Sequence, residues 1–374
     1  MSEFKINIEG NFLDSFIYSG VLFTVDVNGV LCTYSWNNLI KEYIKKDYSK
    51  KKFEKKLMDT REKTRFEKDF IIELDQKFLK EYQQGICVDL DVWSTDLDIK
   101  DNILYISSER GLEALPFGQS WNNGKVMNFN DLYKVWGESK VFGVSTGSWG
   151  RTLLAAGCNG ALEVINSVEQ ANNINLKQQD GKVINSEVCL DCEWELNSTI
   201  AILDQLDTQA VLEYKRLMSD KYFKSNSSDS RKIIEEKLKN RESIPQEKIS
   251  DLKQYIQNGI PDSLVNEATY SWFDGNKLVG LDDDNNALFY DFSQNEWIKK
   301  EKKIIDEQCY RKIRQTNVGI IVETEDDSLY RKIGDNSQLL SEDISSWRVF
   351  PRSTNYQDRI HIVNEDYLQV SIFD

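Results

Sequence analysis

The sequence predicts an all-β chain with helical insertions: a single seven-bladed β-propeller over residues 1–374, closed by pairing its N- and C-terminal strands. Three observations predict it. One pattern recurs seven times, an alternating apolar run, a turn of Asp, Asn or Gly, a Leu, and a second alternating run. The copies read LFTVDVNGVLCTYSW, ILYISSERGLEALPF, LLAAGCNGALEVIN, AILDQLDTQAVLEY, LVGLDDDNNALFYDF, IIVETEDDSLYRKI and IHIVNEDYLQVSIFD, each two strands joined by a tight polar turn. The marker residues Leu31, Leu112, Leu162, Leu212, Leu288, Leu329 and Leu368 are separated by 81, 50, 50, 76, 41 and 39 residues, a period expected of four-stranded blades. Finally, the last copy stops at Asp374 after its third strand. The opening FKINIE alternates Phe4, Ile6 and Ile8 with Lys5, Asn7 and Glu9, so it can supply the missing fourth strand and remove an open edge.

Each hairpin forms strands b and c of a blade. Upstream runs such as SFIYSG, KVFGVST, EVCLDCEWEL, ATYSWF and WRVFPR predict strand a. Downstream runs KVMNF, NINLKQ, EWIKK and QLLSE predict strand d. The two long gaps hold insertions. The first, 37–85, places Phe66, Phe70, Leu74 and Phe78 four residues apart, which predicts one apolar helical face. The second, 215–260, predicts two short helices, the later one capped by Ser243 and ended by Gly259 and Pro261. A two-domain all-β sandwich arrangement is the competing architecture.

In this pattern the chain resembles the WD40-like β-propeller superfamily over essentially its whole length. It lacks the Gly-His pair and the Trp-Asp dipeptide usual there, and its blade ends read TYSW, VIN, YDF and SIFD instead. The double Gly of kelch repeats is absent too. STGSWGRT does not match the Asp-box of sialidase-like propellers, because position 147 is Gly. The resemblance therefore implies an architecture and no functional subfamily.

The net charge is −15. Each insertion carries a net +4, which leaves −23 on the rest of the chain. A body so acidic disfavours nucleic acid and anionic membranes as general partners. The N-terminus shows no basic segment followed by an apolar run, and no 18-residue apolar window occurs, so a soluble cytoplasmic protein is expected. The six cysteines, Cys32, Cys87, Cys158, Cys189, Cys192 and Cys309, are read as free thiols.

Candidate chemistry is sparse. The only histidine, His361, sits between Ile360 and Ile362 and is read as a packing or a surface residue rather than a catalytic one. Cys189 and Cys192 form one C-x-x-C with no second pair or histidine partner for zinc, and on a regular strand they would point to opposite faces. Asp89, Asp91, Asp96 and Asp98 alternate on one or two strands and are read as a solvated strand face, with a channel lining that binds a cation or a sugar as the alternative. Asp282, Asp284 and Asn286 imitate the first ligands of a calcium loop, but Ala287 and Ser293 stand where that loop needs Gly and Glu. They are read as turn residues, and no metal or cofactor is expected. The basic cluster Lys50, Lys51, Lys52, Lys55, Lys56, Arg61, Lys63 and Arg65 is the candidate partner-binding site. The function expected is a non-catalytic scaffold that binds other protein subunits in a larger complex. The alternatives are a glycoside-processing enzyme using channel carboxylates and a nucleic-acid-associated factor acting through the basic insertion.

Overall fold

The computed structural model describes residues 2–85, 87–120, 125–147, 150–170, 173–176, 178–196, 198–206, 208–214, 261–264, 267–292, 294–303 and 310–374. The second insertion, 215–260, and Cys309 lie outside the described residues. Among those described, no helix is long and apolar enough to cross a membrane.

The chain begins with β1 (Glu3–Glu9) and then builds blade 1 from β2 (Phe12–Tyr18), β3 (Val21–Asp26) and β4 (Val30–Ser35). The first insertion follows: α1 (Trp36–Lys46), a 3-10 helix (Tyr48–Phe53), α2 (Glu54–Met58), β5 (Phe70–Leu74) and α3 (Gln76–Lys80). The short β6 (Val88–Asp89) pairs with β4 and completes blade 1. Blade 2 comprises β7 (Ser94–Lys100), β8 (Ile103–Ser108), β9 (Gly111–Ser120) and β10 (Lys125–Phe129), with β11 (Tyr133–Trp136) also paired to β9. Blade 3 has β12 (Gly143–Thr146), β13 (Arg151–Ala155) and β14 (Ala161–Ile165). The expected fourth strand NINLKQ instead contributes to a separate hairpin of β15 (Ser167–Gln170) and β16 (Asn173–Asn175). The place beside β14 is taken by β17 (Lys182–Asn185).

Blade 4 runs β18 (Cys189–Trp194), β19 (Ile200–Gln205), β20 (Gln209–Glu213) and β21 (Asp262–Leu264). Blade 5 runs β22 (Tyr270–Asp274), β23 (Lys277–Leu281), β24 (Asn286–Asp291) and β25 (Glu296–Lys303). Blade 6 runs β26 (Tyr310–Thr316), β27 (Gly319–Thr324), β28 (Leu329–Ile333) and β29 (Asn336–Ser341). Blade 7 has β30 (Ser346–Val349), β31 (Arg359–Val363) and β32 (Tyr367–Phe373), and β1 pairs antiparallel with β32 from Glu3↔Phe373 to Glu9↔Tyr367. The protein is thus a seven-bladed β-propeller closed by its two terminal strands.

The chain divides into two compact units: Met1–Leu97, Phe117–Asn130 and Ala268–Asp374 form one, and Asp98–Pro116 with Asp131–Glu267 the other. The core of each lies between successive blades, where inner strands such as β8, β13 and β31 are buried on both faces. In the first unit, Trp272, Val279 and Leu281 of blade 5 pack with Ile313 and Val322 of blade 6. Ile321 and Leu329 then pack with Ile360, Ile362 and Phe373 of blade 7. In the second unit, Leu153 and Ala161 of blade 3 meet Cys189, Cys192 and Trp194 of blade 4.

Two further expectations are overturned. The segment containing Phe70 and Leu74 is a strand, pairing parallel with β1 from Phe4↔Phe70 to Ile8↔Leu74. Residues four apart share a face of a strand as well as of a helix, so the spacing alone did not decide between them. Ile72 and Leu74 are buried while Ile71 and Glu73 are exposed, a period of two. Cys32 and Cys87, expected as free thiols, form a disulfide with Cα atoms 4.6 Å apart. Their 55-residue separation hides the pair in sequence, but the Leu31↔Val88 register sets them side by side.

Candidate functional site

The basic insertion is fastened to the rest of the first unit at many points. Phe53 stacks among Phe4, Phe66 and Phe70, with ring centroids 6.2, 5.2 and 5.1 Å away. Phe66 N donates to Asp374 Oδ1 at 2.8 Å, Thr60 N to Asn355 O at 2.8 Å, and Glu3 N to Asp69 Oδ1 at 2.9 Å. Leu57 O accepts from both Trp36 Nε1 and Arg359 Nη1 at 3.0 Å. β5 extends blade 7 to five strands. The insertion therefore covers the strand edge that β1 would otherwise present.

This packing divides the basic cluster. Lys56 is buried and its Nζ lies 2.8 Å from Asp358 Oδ2, so it is not available to a partner, contrary to the expectation. Lys50 pairs with Asp47, Lys51 with Glu54, Lys52 with Glu67 at 2.7 Å, and Arg61 with Asp59 at 2.5 Å. These are local pairs between sequence neighbours or adjacent loops, as a solvated charged surface forms them. Lys55, Lys63 and Arg65 are exposed.

The four alternating aspartates do not act as one set. Asp89 lies on the outer strand β6, and its Oδ1 accepts from Asp91 N at 2.9 Å. Asp96, on the inner strand β7, accepts from Arg348 Nη2 at 2.7 Å, and the same guanidinium reaches Asp14 Oδ2 at 2.6 Å and Leu97 O at 2.7 Å. Burial works against the Arg348 charge, but the two carboxylates outweigh it and raise its pKa further. Asp98 accepts from Thr146 N and Thr146 Oγ1, both at 2.7 Å. Among the described residues, no group of three or more His, Cys, Asp or Glu is arranged to hold a metal ion.

His361 is buried, its Nδ1 sharing a 2.8 Å hydrogen bond with Ser15 Oγ. Desolvation, with repulsion from Arg359 and Arg348, drives its pKa well below the ordinary value. A Ser–His pair exists here, but both members are about 1% exposed, so a substrate has no access to it. Cys189 and Cys192 are both buried, against the expected opposite faces. A bulge between Cys189 and Asp191 advances the strand by one residue and turns both thiols inward. Burial, with Asp204 and Asp191 nearby, pushes the Cys189 thiol up to about 12. Asp282 acts as the turn residue it was read to be: its Oδ1 accepts from Asp284 N at 3.0 Å and Asn286 N at 2.8 Å. Lys299 pairs with it at 2.5 Å.

One feature escaped sequence reading. Trp93 is 66% exposed in the loop before β7, and Val27 is 39% exposed in the β3–β4 turn. The local signal is that VDLDVW sets its tryptophan between acidic residues and a polar run. The chain matches no known protein-family model and no curated protein.

Proposed function

We propose that this propeller is a non-catalytic scaffold that binds other proteins, as a subunit of a larger complex. The observation that carries the reading is the neutralisation of Asp14 and Asp96 by one guanidinium. A glycoside-processing site needs two carboxyl groups free to exchange protons with a substrate and water. Carboxylates held in ion pairs at 2.6 and 2.7 Å serve as structural anchors instead. The propeller fold supports the reading as well, because it offers broad rigid surfaces whose loops vary from blade to blade. The nucleic-acid reading loses weight from the locally paired lysines.

The test is co-purification at native expression level. A stoichiometric protein partner that survives gel filtration is the expected result, and a monomer in every extraction condition would overturn the reading. The expected cytoplasmic location is opposed by the Cys32–Cys87 disulfide, which argues for an oxidising compartment. Thiol titration of protein quenched at lysis decides between them: the cytoplasmic reading expects both cysteines to be alkylated without prior reduction.

A further inference from the structure

Four backbone segments of the first unit are tied together at one end of blades 7 and 1. Gly10 N donates to Asp366 O at 2.9 Å, joining the β31–β32 turn to the end of β1. Val27 N donates to Asn11 O at 3.2 Å, joining the start of blade 1 to its own β3–β4 turn. Leu90 N donates to Gly29 O at 3.0 Å, joining that turn to the loop that carries Trp93. Gly29 has φ +78, and a Cβ there would lie 2.8 Å from Val92 O, so only glycine permits the two loops to approach this closely. Asp89 Oδ1 accepting from Asp91 N, with Asp91 at φ +55, shapes the same loop.

On this continuous edge, Trp93 and Val27 are apolar and exposed. On the same joined segments Asp89, Asp91, Glu365 and Asp366 are exposed as well. Residues 9–11, 26–29, 89–93 and 364–366 contain no lysine or arginine. A large exposed indole on a fixed backbone is the side chain most often found as an interface anchor. Its face attracts a cation, and surrounding carboxylates steer a cationic partner toward it.

Resting on the scaffold reading, we propose that this edge of the propeller docks a basic polypeptide segment of its partner, with Trp93 as the anchor. The segment's arginine or lysine side chains lie over the indole and between Asp89, Asp91, Glu365 and Asp366, and an apolar neighbour covers Val27. Charge complementarity selects this occupant: nucleic acid is repelled, and a second copy of this acidic chain would bring like charges together.

The probe is a fluorescent dodecapeptide carrying four arginines and two leucines, titrated into the full chain by anisotropy at low and at 0.3 M salt. Saturable binding that weakens with salt is expected. Trp93→Ala weakens it at least tenfold, the paired Glu365→Gln and Asp366→Asn variant weakens it several-fold, and a peptide with glutamine in place of arginine does not bind. All these positions are exposed, so the variants unfold at the wild-type temperature. Absence of salt-sensitive binding, or equal affinity in Trp93→Ala, overturns the proposal. The native co-purification, repeated with Trp93→Ala, separates the two readings. A partner retained by both proteins leaves the scaffold reading standing and removes this surface. Peptide binding without any native partner removes the scaffold reading alone.

Discussion

His361 shows how one buried side chain couples this fold to pH. Ser15 holds its Nδ1, Phe350 packs edge-on at 4.8 Å, and Arg359 and Arg348 repel a second proton. The folded protein therefore keeps the imidazole neutral, while the unfolded chain protonates it below about pH 6.5. The unfolded state then binds more protons, so stability declines as pH falls through 6.5, by up to about 1.4 kcal/mol per pH unit. Urea denaturation across pH 7.5 to 5 measures this. The decline should be shallower in His361→Asn, even though that variant starts less stable, and equal slopes would contradict the account. Asp282 is also shifted downward, but here it is the charged form that is favoured: against its partial burial, Lys299 and the turn amides hold its carboxyl at about 2. Its contribution is present above the ordinary carboxylate range and is lost only as pH falls toward that value.

The first insertion is the element whose chemistry most differs from its sequence appearance. Lys55 and Lys56 are neighbours in one lysine-rich run, yet one is exposed and the other lies in a buried pair with Asp358 beside Arg359. Lys56→Ala leaves Asp358 short of a partner and should lower stability by about 3 kcal/mol. Lys55→Ala should change it by less than about 0.5 kcal/mol. Chemical denaturation of the two variants distinguishes them, and similar losses would mean that the run acts as one solvated cluster. The hairpins, by contrast, were legible in sequence because their turns need particular backbone chemistry. Gly29, Gly111 and Gly160 hold φ of +78, +102 and +79, and Asn285 and Asp327 hold +61 and +58 in the later copies. Residues that tolerate such angles recur at these five turns and mark the repeat. Before Gly85 at its end, the described part of the insertion carries no such punctuation. Its aromatic residues meet Phe4, about fifty or more positions away, and only the fold brings them together. The inner aspartates were visible as a run, but their partners Thr146 and Arg348 lie 48 and 252 residues from Asp98 and Asp96. No local pattern encodes such a pairing.

At the scale of the whole molecule, β1 stands between β32 and β5 as an interior strand of blade 7. Ile6 is fully buried and pairs with Val370 on one side and Ile72 on the other. Ile6→Ala should therefore cost about 2–5 kcal/mol, although it lies near a chain end, where substitutions are ordinarily tolerated. A urea midpoint unchanged from wild type would show that closure by the N-terminal strand contributes little. The Cys32–Cys87 disulfide adds a covalent counterpart to that closure, because everything from residue 33 to 86 is a loop sealed at its base. A protease that cuts once anywhere inside this loop separates no mass from the molecule. The nicked protein would still run as one band without reductant and split into two with it, so a damaged insertion can persist on an otherwise whole propeller until its redox surroundings change.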